Sequence, residues 1–302
     1  MMNLKAYFGI ARVPFLLLPA TLVASGAASA YLAGDLSWLR TMIALAGLIA
    51  LHASVNAFNE ASDMRTGIDL RTRRTPFSGG SGVLPAGMLQ PRTALRFAAA
   101  MSLIGLAAGI VLLWQVGPIL FPIMVAGAVC VLAYSDILAR AGLGEVAAGL
   151  GLGLLPVMGT AMVQAGKLPD ASVAAGIPAF FMTFNLLFLN EFPDEEADRA
   201  GGRRHLVILL GRRKAALVYA TAALLTPLSI VVSTIAGVLP AVCLIATVPS
   251  LLLIPPLRWA FKNPEGEVPI PALAANVFWN LLTNSAMAMA LLIASHGAVP
   301  GA

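Results

Sequence analysis

From Leu39 to Asp69 the chain reads LRTMIALAGLIALHASVNAFNEASDMRTGID. For some twenty residues it is apolar, long enough at 1.5 Å per residue to cross a hydrocarbon layer about 30 Å thick. It then turns, without a break in helical spacing, into asparagines and acids. Asn56, Asn59 with Glu60, and Asp63 recur at i, i+3/i+4 and i+7 and share one face if the helix continues. His52 lies one turn earlier on that face. An all-α membrane protein carrying chemistry at the ends of its helices is the fold this stretch implies.

The rest of the chain agrees. Of 302 residues, 59% are hydrophobic and 11% charged, where a soluble domain carries about a quarter charged. The mean hydropathy of +0.87 excludes a disordered chain or a disulfide scaffold. Long apolar runs place nine helices at 13–33, 39–62, 93–114, 118–135, 143–165, 170–190, 214–236, 238–260 and 271–295, one bundle forming a single domain over residues 1–302. The first run is too long for a cleaved signal peptide. Cys130 and Cys243 sit in apolar runs and read as inert core thiols.

Charge sets the expected orientation. With the N-terminus in the cytoplasm, all but Arg40 and Lys167 of the 19 Lys and Arg residues fall on the cytoplasmic side. This basic excess flanks membrane spans, so the net charge of +5 points to the bilayer and not to nucleic acid. Two cytoplasmic connections, 59–92 and 191–213, are long and rich in charge and glycine, the composition of functional loops.

The second connection, NEFPDEEADRAGGRRHL at 190–206, repeats the pattern of the first: Glu191, Asp194 and Asp198 stand at i, i+3 and i+7. Two carboxylates about 5 Å apart repel by roughly 3 kcal/mol at an effective dielectric near 20. A hard cation removes that cost, and oxygen-only donors suit Mg²⁺, which binds through one or two carboxylates together with substrate phosphates. Arg71, Arg73 and Arg74 follow the first stripe and Arg203 and Arg204 the second; their planar forks donate in pairs to phosphate oxygens. The Gly79–Gly82 run offers backbone N–H groups to an anion. Acid, metal and arginine at a membrane surface point to a lipid diphosphate. Glu195, off the stripe, reads as solvated. Asn276, Asn280 and Asn284 on the last span, and Phe181, Phe184 and Phe188 on the sixth, read as packing, and His52 as either a satisfied core histidine or a substrate contact.

At these residues the chain resembles the UbiA superfamily of intramembrane prenyltransferases. The first motif is similar to that family's acidic motif through Asn59, Glu60, Asp63 and Asp69, and the second through Asp194, Glu196, Asp198, Arg203 and Arg204. Arg12-Val-Pro14, Tyr134 and Gly142-Leu-Gly-Glu145 also resemble it, with Arg140 loosely matching a basic residue expected after Tyr134. The resemblance implies a multi-pass protein of the inner membrane and implies no obligate protein partner. It implies Mg²⁺ held by Asn59, Asp63, Asp194, Asp198 and Glu196, with Asn56, Glu60, Asp69, Arg71, Arg74, Tyr134, Arg140, Glu191, Arg203 and Arg204 around the substrates. These would be a polyprenyl diphosphate and an aromatic acceptor. Gly67-Ile-Asp69 and the glycine run look most like the branch that prenylates 1,4-dihydroxy-2-naphthoate for menaquinone. The alternatives are a prenyltransferase of the same fold with another acceptor (4-hydroxybenzoate, homogentisate-like or other), a membrane terpene cyclase of that fold, and a cation-coupled transporter.

Overall fold

A computed structural model describes residues 3–297 as a bundle of helices with no strand among them. Helix α1 (Leu4–Ile10) precedes a tight turn at Val13–Leu16 and α2 (Leu17–Tyr31). Ser37 caps α3 (Trp38–Thr66), its Oγ accepting from the Arg40 N–H, and Gly67 ends α3 in the left-handed region at φ +78°. There follow α4 (Pro91–Val116), α5 (Phe121–Leu132), α6 (Gly144–Gly149), α7 (Leu155–Ala165) and α8 (Asp170–Ala200). Beyond these lie α9 (Leu206–Leu210), α10 (Arg212–Ile235), a tightly wound 3₁₀ run (Ala241–Leu253) leading into α11 (Ile254–Lys262), and α12 (Ile270–Gly297).

Eight helical stretches are long and apolar enough to cross a membrane among the described residues. The ninth, Pro118–Leu132, is shorter than the expected 118–135. It reaches only about 22 Å at 1.5 Å per residue, because the backbone leaves the α-helix after Leu132 for a wider π turn at Tyr134–Leu138. Large apolar side chains cover the outside, as a lipid-facing surface requires; Trp38 and Trp114 stand exposed at neighbouring helix ends, where indole rings mark a membrane boundary.

Both helices that carry the acidic motifs run on past the span ends expected at 62 and 190. Helix α3 runs on through Asp63 to Thr66, and α8 runs past Pro193 to Ala200. Proline lacks one donor and costs the helix a bond; the Phe192 carbonyl, in the same stretch, accepts from the Arg212 guanidinium at 3.0 Å. The two helix ends are brought together by Gly201, where a Cβ would lie 2.1 Å from Ile68 Cγ1, so only glycine lets the 67–75 turn rest on the end of α8.

Helices α2, α3, α4, α5, α7 and α8 surround a cavity of about 720 Å³. Helices α10 and α12 pack behind α8 in two apolar cores, one around Trp279, Met182 and Ile230 and the other around Phe188, Tyr219 and Trp259. At the end away from the motifs, Arg40 ties α3 to the carbonyls of Val163 (3.0 Å) and Gln164 (3.2 Å) and to Gln115, closing the floor of the cavity.

Candidate active site

One end of the cavity is polar and the remainder apolar. Asp63, Asp69, Asp194 and Asp198 line the polar end with Asn59, Asn190, Glu191 and Arg203. The period of 3.6 accounts for it: Asp63 and Asn59 stand one turn apart on α3, and Glu191, Asp194 and Asp198 on one stripe of α8. Arg203 spans the two stripes. Its guanidinium bonds to Asp63, donates to Asn59 Oδ1 at 2.6 Å and lies 3.7 Å from Asp198. Asn59 in turn donates to the second Asp63 oxygen at 2.8 Å. Burial alone would weaken the charge on Arg203, but Asp63 and Asp198 more than reverse this and hold its pKa above the ordinary value.

The other acids are held by the 67–90 segment, which folds back over the cavity. Asp194 accepts from Thr72 Oγ1 (2.8 Å) and the Gly79 N–H (3.0 Å). Glu60 accepts from the Ser81 N–H and hydroxyl, both at 2.6 Å, so both its oxygens support the glycine run. Asp69 is buried under Gly80, whose φ of +71° and close approach (a Cβ would stand 2.6 Å from Asp69 Oδ1) exclude a side chain. Asp69 Oδ2 has no hydrogen-bond partner. Burial, reinforced by the charges of Glu60 and Asp63, pushes its pKa up to about 7.

Several expected site residues lie elsewhere. Glu196 is exposed and off the cavity wall, since 100° per residue turns it away from the stripe of Asp194 and Asp198. Arg71 and Arg204 are exposed, and Arg140 is half-buried off the cavity. Arg74 donates to the Asp69 carbonyl at 2.6 Å and Arg73 pairs with Glu267 at 3.0 Å, so both brace the turn. Glu195 is not merely solvated: it pairs with Arg199 (2.9 Å) and Arg212 (3.1 Å), joining α8 to α10. Asn56 lines the cavity and donates to the Ala11 carbonyl at 3.0 Å. Tyr134 lines it too, its phenol held protonated by burial. His52 lines it with Nδ1 unpartnered.

The asparagines of α12 are packing elements. Asn276 joins the Tyr219 hydroxyl to the Asn185 carbonyl, and Asn284 donates to Asn280. Phe184 and Phe188 belong to a stack of rings ending on Trp259. Three further residues were not assigned a site role from the sequence. Arg12 lines the cavity from a left-handed backbone at φ 52°. His205, buried, lies 3.4 Å from Asp198 and 4.0 Å from Glu191. Glu145, fully buried, adjoins Glu191 and accepts from the Leu206 N–H at 2.6 Å. What sets them in the site is tertiary contact, which linear spacing does not reveal.

The donor set suits a hard cation. Every candidate ligand offers oxygen, four aspartates face one arginine, and Asp69 Oδ2 is a buried acceptor with nothing to accept from. Among the described residues no three His, Cys, Asp or Glu side chains already converge on one point, because Arg203 stands between the stripes. Asn59, Asp63, Asp69, Asp194 and Asp198, all on the polar end of the cavity, are the residues that could hold such an ion.

An acidic mouth over an apolar chamber within a multi-pass helical bundle defines an intramembrane enzyme for amphiphilic substrates. The chain belongs to the UbiA prenyltransferase family, whose family model matches residues 17–282; it is a membrane prenyltransferase. It is 27% identical over 231 residues to the 1,4-dihydroxy-2-naphthoate octaprenyltransferase of Mycobacterium tuberculosis, covering 76% of this chain and 74% of that one. Among solved structures it is similar to a UbiA homolog from Aeropyrum pernix K1 (TM-score 0.69, 18% identity, 88% of this chain and 96% of that one). It is also similar to a UbiA homolog from Archaeoglobus fulgidus bound to GPP and Mg²⁺ (TM-score 0.65, 16% identity, 95% and 99%).

Proposed function

We propose that this enzyme transfers a polyprenyl group from a polyprenyl diphosphate to 1,4-dihydroxy-2-naphthoate, with Mg²⁺ as cofactor, at the cytoplasmic face of the inner membrane. The observation that carries it is the division of one cavity into a mouth with four aspartates and Arg203 and an apolar chamber running toward the far end of the bundle. The acceptor rests on the relatives' activity and on the Gly67-Ile-Asp69 and Gly79–Gly82 segments; the orientation rests on the basic excess at the motif end.

Asn59, Asp63, Asp69, Asp194 and Asp198 would hold Mg²⁺ with the diphosphate. The bound ion would supply charge neutralisation for the leaving group. Arg203 adds a fixed cation beside it, and the glycine run, held by Glu60 and Asp194, covers the mouth and limits water. The allylic C–O bond breaks with its electron pair leaving on the diphosphate. The ring carbon bearing the carboxylate then bonds to the allylic cation. Loss of CO₂ returns the electron pair of the broken C–C bond to the ring, giving a prenylated naphthoquinol with no external oxidant. His52 and Tyr134, both on the cavity wall, would contact the ring.

Turnover of geranylgeranyl diphosphate by the purified protein, with Mg²⁺ or EDTA and a panel of aromatic acceptors, tests this. An EDTA-sensitive prenylated naphthoquinol is the expected product. Diphosphate release without an aromatic product would make it a cyclase, and preference for another acceptor would overturn the naphthoate assignment.

A further inference from the structure

The cavity follows α3 from Asp63 at its polar end to Ile43 at its apolar end, twenty residues or about 30 Å at 1.5 Å per residue. A tail bound there runs along the membrane normal, and whatever narrows that channel sets how long a tail is admitted. Eight glycines line the cavity, and seven of them are accounted for by close approach. A Cβ on Gly105 would strike Leu51 at 2.5 Å, one on Gly47 would meet Ala108 at 2.9 Å, and one on Gly151 would meet Cys130 at 2.8 Å.

Gly127 is different. It lies on the cavity-lining stripe of α5 with Ile123, Cys130 and Val131, and a Cβ built on it meets no heavy atom within 4 Å. Its conformation is ordinary right-handed helix, which any residue adopts. In a helix, glycine is less favourable than alanine, and no packing contact at Gly127 offsets this. What the missing side chain leaves is passage through the channel, about half-way between its mouth and its floor.

We infer that Gly127 is a specificity-determining residue for tail length: its bare backbone lets the tail of a long polyprenyl diphosphate pass the midpoint of the channel. The inference rests on the proposed prenyl transfer and adds the residue that selects among donors. Gly127→Ala adds one methyl to open space and should leave donor choice nearly unchanged. Gly127→Leu and Gly127→Phe fill the passage and should exclude long tails while admitting short ones.

The test compares the wild type and these variants with geranyl, geranylgeranyl and a longer polyprenyl diphosphate. For Gly127→Phe, kcat/KM should fall at least tenfold with the longer donor, mainly through KM, and stay within about twofold with geranyl diphosphate, the scale of steric exclusion from an apolar pocket. A parallel binding readout needs no turnover. Cys130 lines the channel one turn from Gly127 and Cys243 is fully buried, so apolar thiol reagents report on Cys130. Long donors should protect Cys130 in the wild type and not in Gly127→Phe. Equal losses for short and long donors, or unchanged long-donor protection in Gly127→Phe, would overturn the role of Gly127. Absence of protection by any donor in the wild type would overturn the reading of the channel as a prenyl site, and this inference with it.

Discussion

Arg203 and Asp63, 140 residues apart in the chain, form a buried ion pair that joins the two acidic helix ends. The pair places a guanidinium between the two stripes, against Asp63 and Asp198. Removing one partner of such a pair leaves a buried charge uncompensated, at a cost of about 3–5 kcal/mol. Arg203→Ala should therefore lower both stability and turnover, the latter by at least roughly a hundredfold, the scale of losing a fixed charge at a developing anion. Its melting temperature should recover on adding Mg²⁺ far more than that of the wild type. A thermal melt series in detergent checks this; a metal-independent melt would remove the aspartates from the metal site. Asp63→Asn should abolish turnover and also cost stability, less than Arg203→Ala because Asp198 at 3.7 Å still faces the Arg203 guanidinium.

Asp194 is the second anchor, because its carboxylate holds the 67–90 segment through Thr72 and Gly79. Thr72→Val removes one hydrogen bond, worth about 1 kcal/mol, without touching the carboxylate. The variant should raise KM several-fold and spare kcat. Limited trypsin digestion should cut faster at Arg71, Arg73 and Arg74. Asp194→Asn should lose turnover altogether.

The pH behaviour of Asp69 has a definite sign. Its folded pKa of about 7 lies above its ordinary 3.8, so the fold favours the protonated form. Its contribution to stability is full below about pH 4 and is lost as pH rises through about 7. Metal binding requires the carboxylate and must release that proton. Divalent-cation affinity should thus climb from about pH 6 to pH 8, and Asp69→Asn should flatten the climb while raising stability at the alkaline end. Calorimetric titrations in two buffers of different ionisation enthalpy measure the released proton directly.

Glu195→Gln offers a contrast on the same helix. Glu195 does not line the cavity, so turnover should stay within about twofold, while loss of its pairs with Arg199 and Arg212 should lower the melting temperature by a few degrees. Arg212→Ala should cost more, because it also removes the guanidinium's bonds to the carbonyls of Phe192, Pro264 and Gly266.

Helical spacing made much of this site legible in the sequence. Asp63 follows Asn59, and Asp194 and Asp198 follow Glu191, at intervals that a rigid helix turns into one face, and the structure places them on one cavity. Spacing fails where the chain leaves the helix or folds back. Glu60 lies on the same side of α3 as Asp63, yet Ser81 returns from the loop and takes both its oxygens. Arg203 and Arg204 are neighbours in a bend, one buried in the site and one exposed. His205 and Glu145 come together only because α6 and the segment after α8 meet, a tertiary fact without a linear signature. The span pattern carried the fold, and only the fourth helix came out short, where the backbone unwinds at Tyr134.

That short helix bears on the membrane as much as on the protein. At about 18 Å, α5 falls well below a hydrocarbon layer of about 30 Å, and it has no buried residue of its own. Hydrophobic mismatch of that size is relieved by lipids crowding closer beside it, each ångström costing a fraction of a kcal/mol. Because α5 is also the wall that carries Gly127, the bilayer becomes a mechanical load on the channel. Thicker membranes should press on this wall and thinner ones relax it, so that turnover in vesicles of graded acyl length would follow lipid thickness.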